Sequence, residues 1–133
     1  MLNRILCIDD DAITMMLCRK VIAKAAFAKH SDFANNGEEA LHYFDNLIMN
    51  EVKDFPELIL LDLNMPVMGG WEFLDNFSST YARFFNNTKV IVLSSTIDPR
   101  DVQKSRTYPM VIDFMSKPIT VEMLEDLKKI FAK

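Results

Sequence analysis

Polar residues that could do chemistry follow four apolar segments of this sequence. They comprise carboxylates, an amide, hydroxyls and one lysine: Asp9, Asp10, Asp11, Asp62, Asn64, Ser94, Ser95, Thr96 and Lys117. If the segments before Asp9 and Asp62 are neighbouring strands, several carboxylates converge, and they repel each other unless a cation lies between them. Mg²⁺ prefers oxygen ligands and commonly takes one or two carboxylates together with phosphate oxygens. A lysine opposite the metal would neutralise a bound phosphoryl group, and a hydroxyl would bond another of its oxygens.

Each of these residues also has an ordinary structural interpretation when it stands alone. Asp11 suits the N-cap of a helix, but a cap needs only one such residue, which leaves Asp9 and Asp10 unexplained. The hydroxyl residues alone would be turn residues, and the lysine alone would be a solvated charge. Their joint placement at strand ends predicts a site, because ligands of open parallel sheets bind there.

Short apolar runs predict the strands that must position these residues. The clearest runs cover residues 5–8, 58–61, 90–93 and 111–114, and a weaker candidate covers residues 30–34. All but the last of the four clear runs lack polar alternation, which is typical of strands covered by helices on both faces.

Helical periodicity fills the intervals between these runs. Apolar residues recur at helical spacing after Asp11, after Gly37 and over residues 71–77. Asp98, followed by a proline, predicts the capped start of a fourth helix, and Thr120 predicts that of a fifth. The predicted buried residues of the last helix are Met123, Leu127, Ile130 and Phe131. Strands that alternate with helices predict an α/β domain whose parallel sheet carries helices on both faces.

Composition limits the class of protein. A chain of 133 residues that is half apolar and a quarter charged fits one globular domain, residues 1–133. The net charge of -4 and the lack of clustered Lys and Arg argue against direct nucleic-acid binding. No run reaches the roughly 20 apolar residues of a membrane span, and no signal-peptide core begins the chain. We therefore expect a cytoplasmic protein in which Cys7 and Cys18 are reduced core residues.

Four motifs give the sequence a family resemblance. They are ILCIDDD at residues 5–11, LILLDLNMPVMGGWEFL at 58–74, VIVLSS at 90–95 and FMSKPI at 114–119. In this order the chain resembles the receiver domain of bacterial two-component response regulators, in particular the single-domain receivers of chemotaxis. The resemblance implies a flavodoxin-like, doubly wound sheet of five parallel strands in the order 2-1-3-4-5.

The resemblance also implies roles at the acidic cluster. Asp62 is expected to be the phosphoacceptor, and Lys117 to pair with a phosphoryl oxygen. Mg²⁺ or Mn²⁺ is expected to bind Asp10 directly, Asp9 largely through water, Asp62, and the backbone carbonyl of Asn64. A cis peptide is expected between Lys117 and the proline that follows it.

The expected switch lies beyond the acidic cluster. By the same resemblance, the Ser94 hydroxyl bonds the phosphoryl group, Ser95 contributes its backbone N–H, and Phe114 turns into the space that Ser94 vacates. The alternative for Phe114 is ordinary core packing. The face formed by the fourth helix, fifth strand and fifth helix would then change shape and bind a downstream protein. The expected donor is a sensor histidine kinase or a histidine phosphotransfer protein, with no membrane or nucleic acid as a direct partner.

Two other functions remain open. A phosphatase of the haloacid dehalogenase type also uses a metal and an Asp nucleophile, but it needs a second carboxylate where this chain has Asn64. A receiver-like scaffold that is never phosphorylated should have lost some of Asp10, Asp62 or Lys117. We expect a signalling domain that promotes its own phosphorylation and dephosphorylation, and no separate enzymatic activity.

One segment exceeds the usual length of this family. Residues 81–89 contain Tyr81, Phe84 and Phe85, followed by two asparagines. These aromatic side chains are expected to pack beneath a lengthened loop, and a partner-binding surface is the alternative.

Overall fold

Five strands and five α-helices alternate along the chain in a computed structural model that describes residues 1–131. The strands are β1 (Leu2–Ile8), β2 (Ala28–Ala34), β3 (Leu58–Asp62), β4 (Lys89–Ser94) and β5 (Val111–Ser116). The helices are α1 (Ala12–Lys24), α2 (Gly37–Met49), α3 (Gly70–Asn76), α4 (Pro99–Ser105) and α5 (Val121–Phe131). All strand pairs are parallel, and the order is β2-β1-β3-β4-β5. The predicted flavodoxin-like fold is therefore confirmed.

Alternate side chains of the central strands fill two separate cores, because successive residues of a strand point to opposite faces of the sheet. On one face, Ile5 and Leu58 pack with α1 and α5. On the other face, Leu6 and Ile59 pack with α2 and α3. The two outer strands are less buried, which explains the weak sequence pattern of β2.

The predicted helix starts are confirmed by their hydrogen bonds. Asp11 and Asp98 each accept a hydrogen bond from the backbone N–H two residues further on, at 3.0 and 2.9 Å. Thr120 Oγ1 accepts one from a backbone N–H in the first turn of α5 at 3.2 Å. The predicted core cysteines, Cys7 and Cys18, are buried and not joined in a disulfide.

The prediction for the buried face of α5 is partly wrong. Leu124 and Leu127 are buried, whereas Ile130 is 55% exposed. Leu124, Leu127 and Phe131 follow the i, i+3, i+7 spacing of one helix face, so that Ile130 lies at the margin of the contact with the sheet.

α3 continues as a π-helix, Phe77–Tyr81, and the lengthened segment follows it as turns up to Thr88. Tyr81 and Phe85 are buried as predicted, but Phe84 is 48% exposed and the prediction is wrong for it. The buried rings meet α2 at Phe44, whose ring centroid lies between 4.9 and 6.5 Å from four others. Those rings belong to Phe73, Phe77, Tyr81 and Phe85.

The aromatic cluster yields a stability prediction. Phe44→Ala is expected to lower the free energy of unfolding by about 3–5 kcal/mol, because a fully buried ring is replaced by a cavity. Phe84→Ala is the matched control and is expected to cost less than about 1 kcal/mol, since a half-exposed ring loses little burial. Urea unfolding followed by circular dichroism measures both, and equal losses would contradict the described packing.

Candidate functional site

Three carboxylates meet at the carboxyl edge of the sheet. β1 and β3 are neighbours, with Ile8 opposite Leu61, so the residues that end these strands lie side by side. One carboxylate oxygen from each of Asp9, Asp10 and Asp62 lies within 4.8 Å of the others. Asp9 and Asp62 are buried and Asp10 is exposed, which leaves the cluster open to solvent on one side.

Lys117 supplies the cation that faces this cluster. Its Nζ lies 2.6 Å from Asp9 Oδ2 and 3.3 Å from Asp62 Oδ1. The lysine follows β5, and its backbone N–H donates to the carbonyl of Ser94 at 2.8 Å, which fixes the start of the loop to β4. The expected cis peptide to Pro118 is present. Three carboxylates and one ammonium leave a formal excess of two negative charges, a fitting environment for a divalent cation.

Burial and neighbouring charges shift the pKa values of Asp62 and Lys117. Burial, followed by the nearby charge of Asp9, raises the pKa of Asp62, although Lys117 and the backbone N–H of Asn64 act in the opposite direction. Burial lowers the pKa of Lys117, but the combined effect of Asp9 and Asp62 is larger and the net pKa is raised. The lysine therefore remains a cation and the main counter-charge of the cluster.

The hydroxyl at the end of β4 is buried. Ser94 Oγ accepts a hydrogen bond from the backbone N–H of Thr96 at 3.3 Å, and its own O–H makes no hydrogen bond among residues 1–131. Ser95 is exposed. Phe114 is half-buried on the outer strand β5 and lines a cleft of about 190 Å³ between β5 and α4, away from the carboxylates.

Sequence reasoning did not single out Gly70, which sets the position of the acceptor backbone. A Cβ on Gly70 would lie 2.6 Å from the carbonyl oxygen of Asp62 and 2.9 Å from Leu63 Cα. The backbone N–H of Gly70 donates to the Leu63 carbonyl at 2.9 Å. Only glycine allows α3 to begin this close to β3, and the glycine pair in the second motif was the available signal.

The loop that joins β3 to α3 is further tied to α2. The backbone N–H of Gly37 donates to the carbonyl of Met68 at 2.9 Å, and a Cβ on Gly37 would lie 2.8 Å from Met68 Cγ. Within the same loop, Val67 has a φ of 67° and is 74% exposed. A β-branched residue is strained in this left-handed region, so the loop holds its shape against a local preference.

The sequence that builds this fold and acidic cluster matches a known protein family. The family model of the response regulator receiver domain matches residues 5–129. This chain belongs to that family. Receiver domains are signalling domains of two-component systems, and they bind Mg²⁺ at an acidic cluster such as the one described above.

Individual relatives agree with this assignment. A two-component response regulator from Cytophaga hutchinsonii has a solved structure with a TM-score of 0.89 and 30% identity, covering 99% of this receiver domain and 98% of that chain. A two-component response regulator of Arabidopsis thaliana is 26% identical over 93% of this chain. The regulatory protein AtoC of Escherichia coli is 28% identical over 92% of it. This chain spans 19% of the Arabidopsis protein and 24% of the Escherichia coli protein.

Among residues 1–131, the helices are all too short or too polar to cross a bilayer.

The strain at Val67 yields a prediction for the site loop. Val67→Gly is expected to raise the free energy of unfolding by about 0.5–1 kcal/mol, because relief of about 1–2 kcal/mol of left-handed strain exceeds the added chain entropy. Val52→Gly is the control, since Val52 is also exposed but is not among the residues with positive φ, and it is expected to destabilise. Thermal unfolding measures both variants, and a loss of stability in Val67→Gly would show that the loop is unstrained.

Proposed function

We propose that this receiver domain accepts a phosphoryl group on Asp62 from a phosphohistidine of a sensor kinase or phosphotransfer protein. The observation that supports the proposal is the placement of a buried carboxylate between two further carboxylates and an ammonium, at an edge open to solvent through Asp10. A carboxylate attacks phosphorus well only when the negative charge of the phosphoryl oxygens is neutralised on more than one side.

The transfer itself needs one bond to form and one to break. An Oδ of Asp62 bonds to phosphorus as the bond between phosphorus and the donor histidine nitrogen breaks, and the released imidazole takes up a proton from water. Lys117 Nζ, which now contacts Asp62 Oδ1, pairs with an oxygen of the incoming group. The product is an acyl phosphate that carries close to two additional negative charges.

The residues of the cluster fit a magnesium or manganese ion. Carboxylates are the hard oxygen ligands that these ions prefer, and the ions accept few protein ligands. Asp10 would bind the ion directly, Asp9 through water, and Asp62 and the backbone carbonyl of Asn64 would complete the set. A bound ion would supply two positive charges to the oxygens of the phosphoryl group.

Signalling follows from the hydroxyl beside the cluster. The Ser94 O–H is free to donate to a phosphoryl oxygen, and Ser95 contributes its backbone N–H. Movement of Ser94 would let Phe114 turn from its half-buried position into the space that Ser94 vacates. The face formed by α4, β5 and α5 would then change shape and bind a downstream protein.

The surface next to the cluster suits a protein donor. α1 begins directly after the acidic triplet, and it exposes Ile13, Met16 and Leu17, with exposed fractions of 65%, 48% and 41%. Exposed apolar side chains on one short segment mark protein contacts. Arg19 and Lys20 add charge along the same helix, which would help to select the kinase.

A receiver-like scaffold would have the same fold but would never be phosphorylated. A phosphorylation assay therefore tests this alternative directly. The haloacid dehalogenase alternative is excluded by the family assignment and by the amide of Asn64 at the place of the general acid.

Incubation with acetyl phosphate and Mg²⁺ is expected to add about 80 Da, one phosphoryl group, to the intact mass of the wild type. Asp62→Asn is expected to show no gain, because an amide cannot form the acyl phosphate. Asp113→Asn is the control, since it removes an exposed carboxylate of β5 outside the cluster. An equal gain in Asp62→Asn would place the acceptor elsewhere, and no gain in the wild type would favour the scaffold.

Lys117→Met separates metal binding from phosphoryl transfer. The variant is expected to bind Mg²⁺ about tenfold more tightly, because one positive charge near the carboxylates is removed. Phosphorylation is expected to slow by about 100-fold, because the phosphoryl oxygens lose a counter-charge. Calorimetric Mg²⁺ titration and mass spectrometry measure the two effects. Lys89→Met, at the opposite edge of the sheet, should change neither, and weaker Mg²⁺ binding in Lys117→Met would contradict the described electrostatics.

A further inference from the structure

α4 is attached to α3 by a small group of side chains, here called the latch: Trp71, Asp75, Lys104 and Tyr108. Lys104 Nζ of α4 lies 4.7 Å from the centroid of the Trp71 ring. Tyr108, just beyond α4, stacks on the same ring with centroids 6.0 Å apart and planes inclined by 17°. The Tyr108 hydroxyl donates to Asp75 Oδ1 at 2.5 Å. The latch therefore combines a cation–π contact, an aromatic stack and a hydrogen bond to a carboxylate.

The latch moves with the end of α4. The backbone N–H of Tyr108 donates to the carbonyl of Ser105, the last residue of α4, at 3.2 Å. Burial, followed by Asp75, raises the pKa of Tyr108 to about 12, so the hydroxyl keeps the proton that it donates. A shift of α4 away from α3 would break all of these contacts together.

A cleft lies on the side of α4 that faces β5. A cleft of about 190 Å³ separates Val102, Ser105 and Arg106 from β5, where Phe114 lines the opposite wall. Protein interiors are otherwise close-packed, so this space is room into which a neighbouring element can move. The cleft would therefore admit a second packing of α4, one that fills this space and opens the latch.

A hydrogen bond connects the position of α4 to Ser94, which lies beside the acidic cluster. Ser94 Oγ accepts the backbone N–H of Thr96 in the short loop that leads to the cap of α4 at Asp98. A Ser94 hydroxyl drawn toward a phosphoryl oxygen would pull on this loop or release it. The start of α4 would then be displaced, and this displacement would strain the latch at the end of the helix.

We propose that the latch holds α4 in the unphosphorylated position, and that phosphorylation of Asp62 opens the latch as α4 moves toward β5. The inference rests on the proposed phosphorylation of Asp62. It goes beyond it by identifying the contacts that oppose the switch, which lie on α3 and not at the carboxylates. If a phosphoryl mimic binds the open state better, a change that weakens the latch strengthens binding of the mimic at Asp62 by up to the same factor.

The test uses beryllofluoride with Mg²⁺, a stable mimic of the phosphoryl group, and the fluorescence of Trp71, the single tryptophan of the chain. In the wild type, Trp71 emission is expected to change with beryllofluoride, because Lys104 and Tyr108 leave the ring. Lys104→Met and Tyr108→Phe each remove one latch contact and keep side-chain size. Each is expected to bind beryllofluoride about two- to tenfold more tightly, the factor that contacts of this kind contribute.

Matched controls remove similar groups elsewhere. Tyr81→Phe loses a hydroxyl that donates to Asp45 at 2.6 Å, and Lys129→Met loses an exposed lysine of α5. Neither should change the affinity for beryllofluoride. Circular dichroism melting confirms that all four variants fold.

Fluorine NMR of bound beryllofluoride separates the possible failures. Bound fluoride signals with unchanged Trp71 emission, or with wild-type affinity in both latch variants, would overturn the latch and leave the phosphorylation of Asp62 standing. Absence of bound fluoride in the wild type, together with no phosphoryl gain in mass spectrometry, would overturn both proposals.

Discussion

The ammonium of Lys117 lies against two carboxylates that come from the ends of neighbouring strands and repel each other. Burial raises the energy of each of these charges, and the folded chain needs the ion pair to offset that cost. Removal of a buried charge partner is far costlier than loss of an exposed pair. The position of the loop after β5 is therefore set by the same interaction that prepares Asp62 for chemistry.

That interaction depends on the order of the strands. Asp9 ends β1, Asp62 ends β3, and Lys117 follows β5, which is two strands away from β3. β4 spans this gap, and the hydrogen bond from the backbone of Lys117 to Ser94 carries the lysine back toward the carboxylates. Gly70 fixes the other side of the site, because the absence of a side chain there lets α3 begin against the backbone of Asp62. The site is thus fixed by backbone contacts as much as by its charged side chains.

The sequence predicted those features that depend on local pattern or on a specific motif. Continuous apolar runs predicted the three central strands, capping residues predicted three helix starts, and the motifs predicted the strand order. The structure also brings together Asp9, Asp10, Asp62 and Lys117, whereas the roles of Ser94, Ser95, Asn64 and Phe114 stay predictions. Predictions failed where burial depends on neighbouring elements: Ile130 and Phe84 are apolar at helical spacing, yet within residues 1–131 about half of each side chain stays exposed. The left-handed backbone of Val67 could not be foreseen either, because a β-branched residue ordinarily avoids that conformation.

The proposed switch requires a rigid backbone around Asp62 and a helix α4 that can move. A phosphoryl group adds charge at one point, and its effect reaches a distant surface only if something between them has two discrete arrangements. The loop from β3 to α3 cannot serve, because Gly70 and Gly37 hold it at close backbone contacts. α4 can serve, because it is only seven residues long, is held by side chains on one side and faces a cleft on the other. Since α3 carries both Gly70 at the acceptor and Trp71 in the latch, the rigid end of the site also provides the support against which α4 moves.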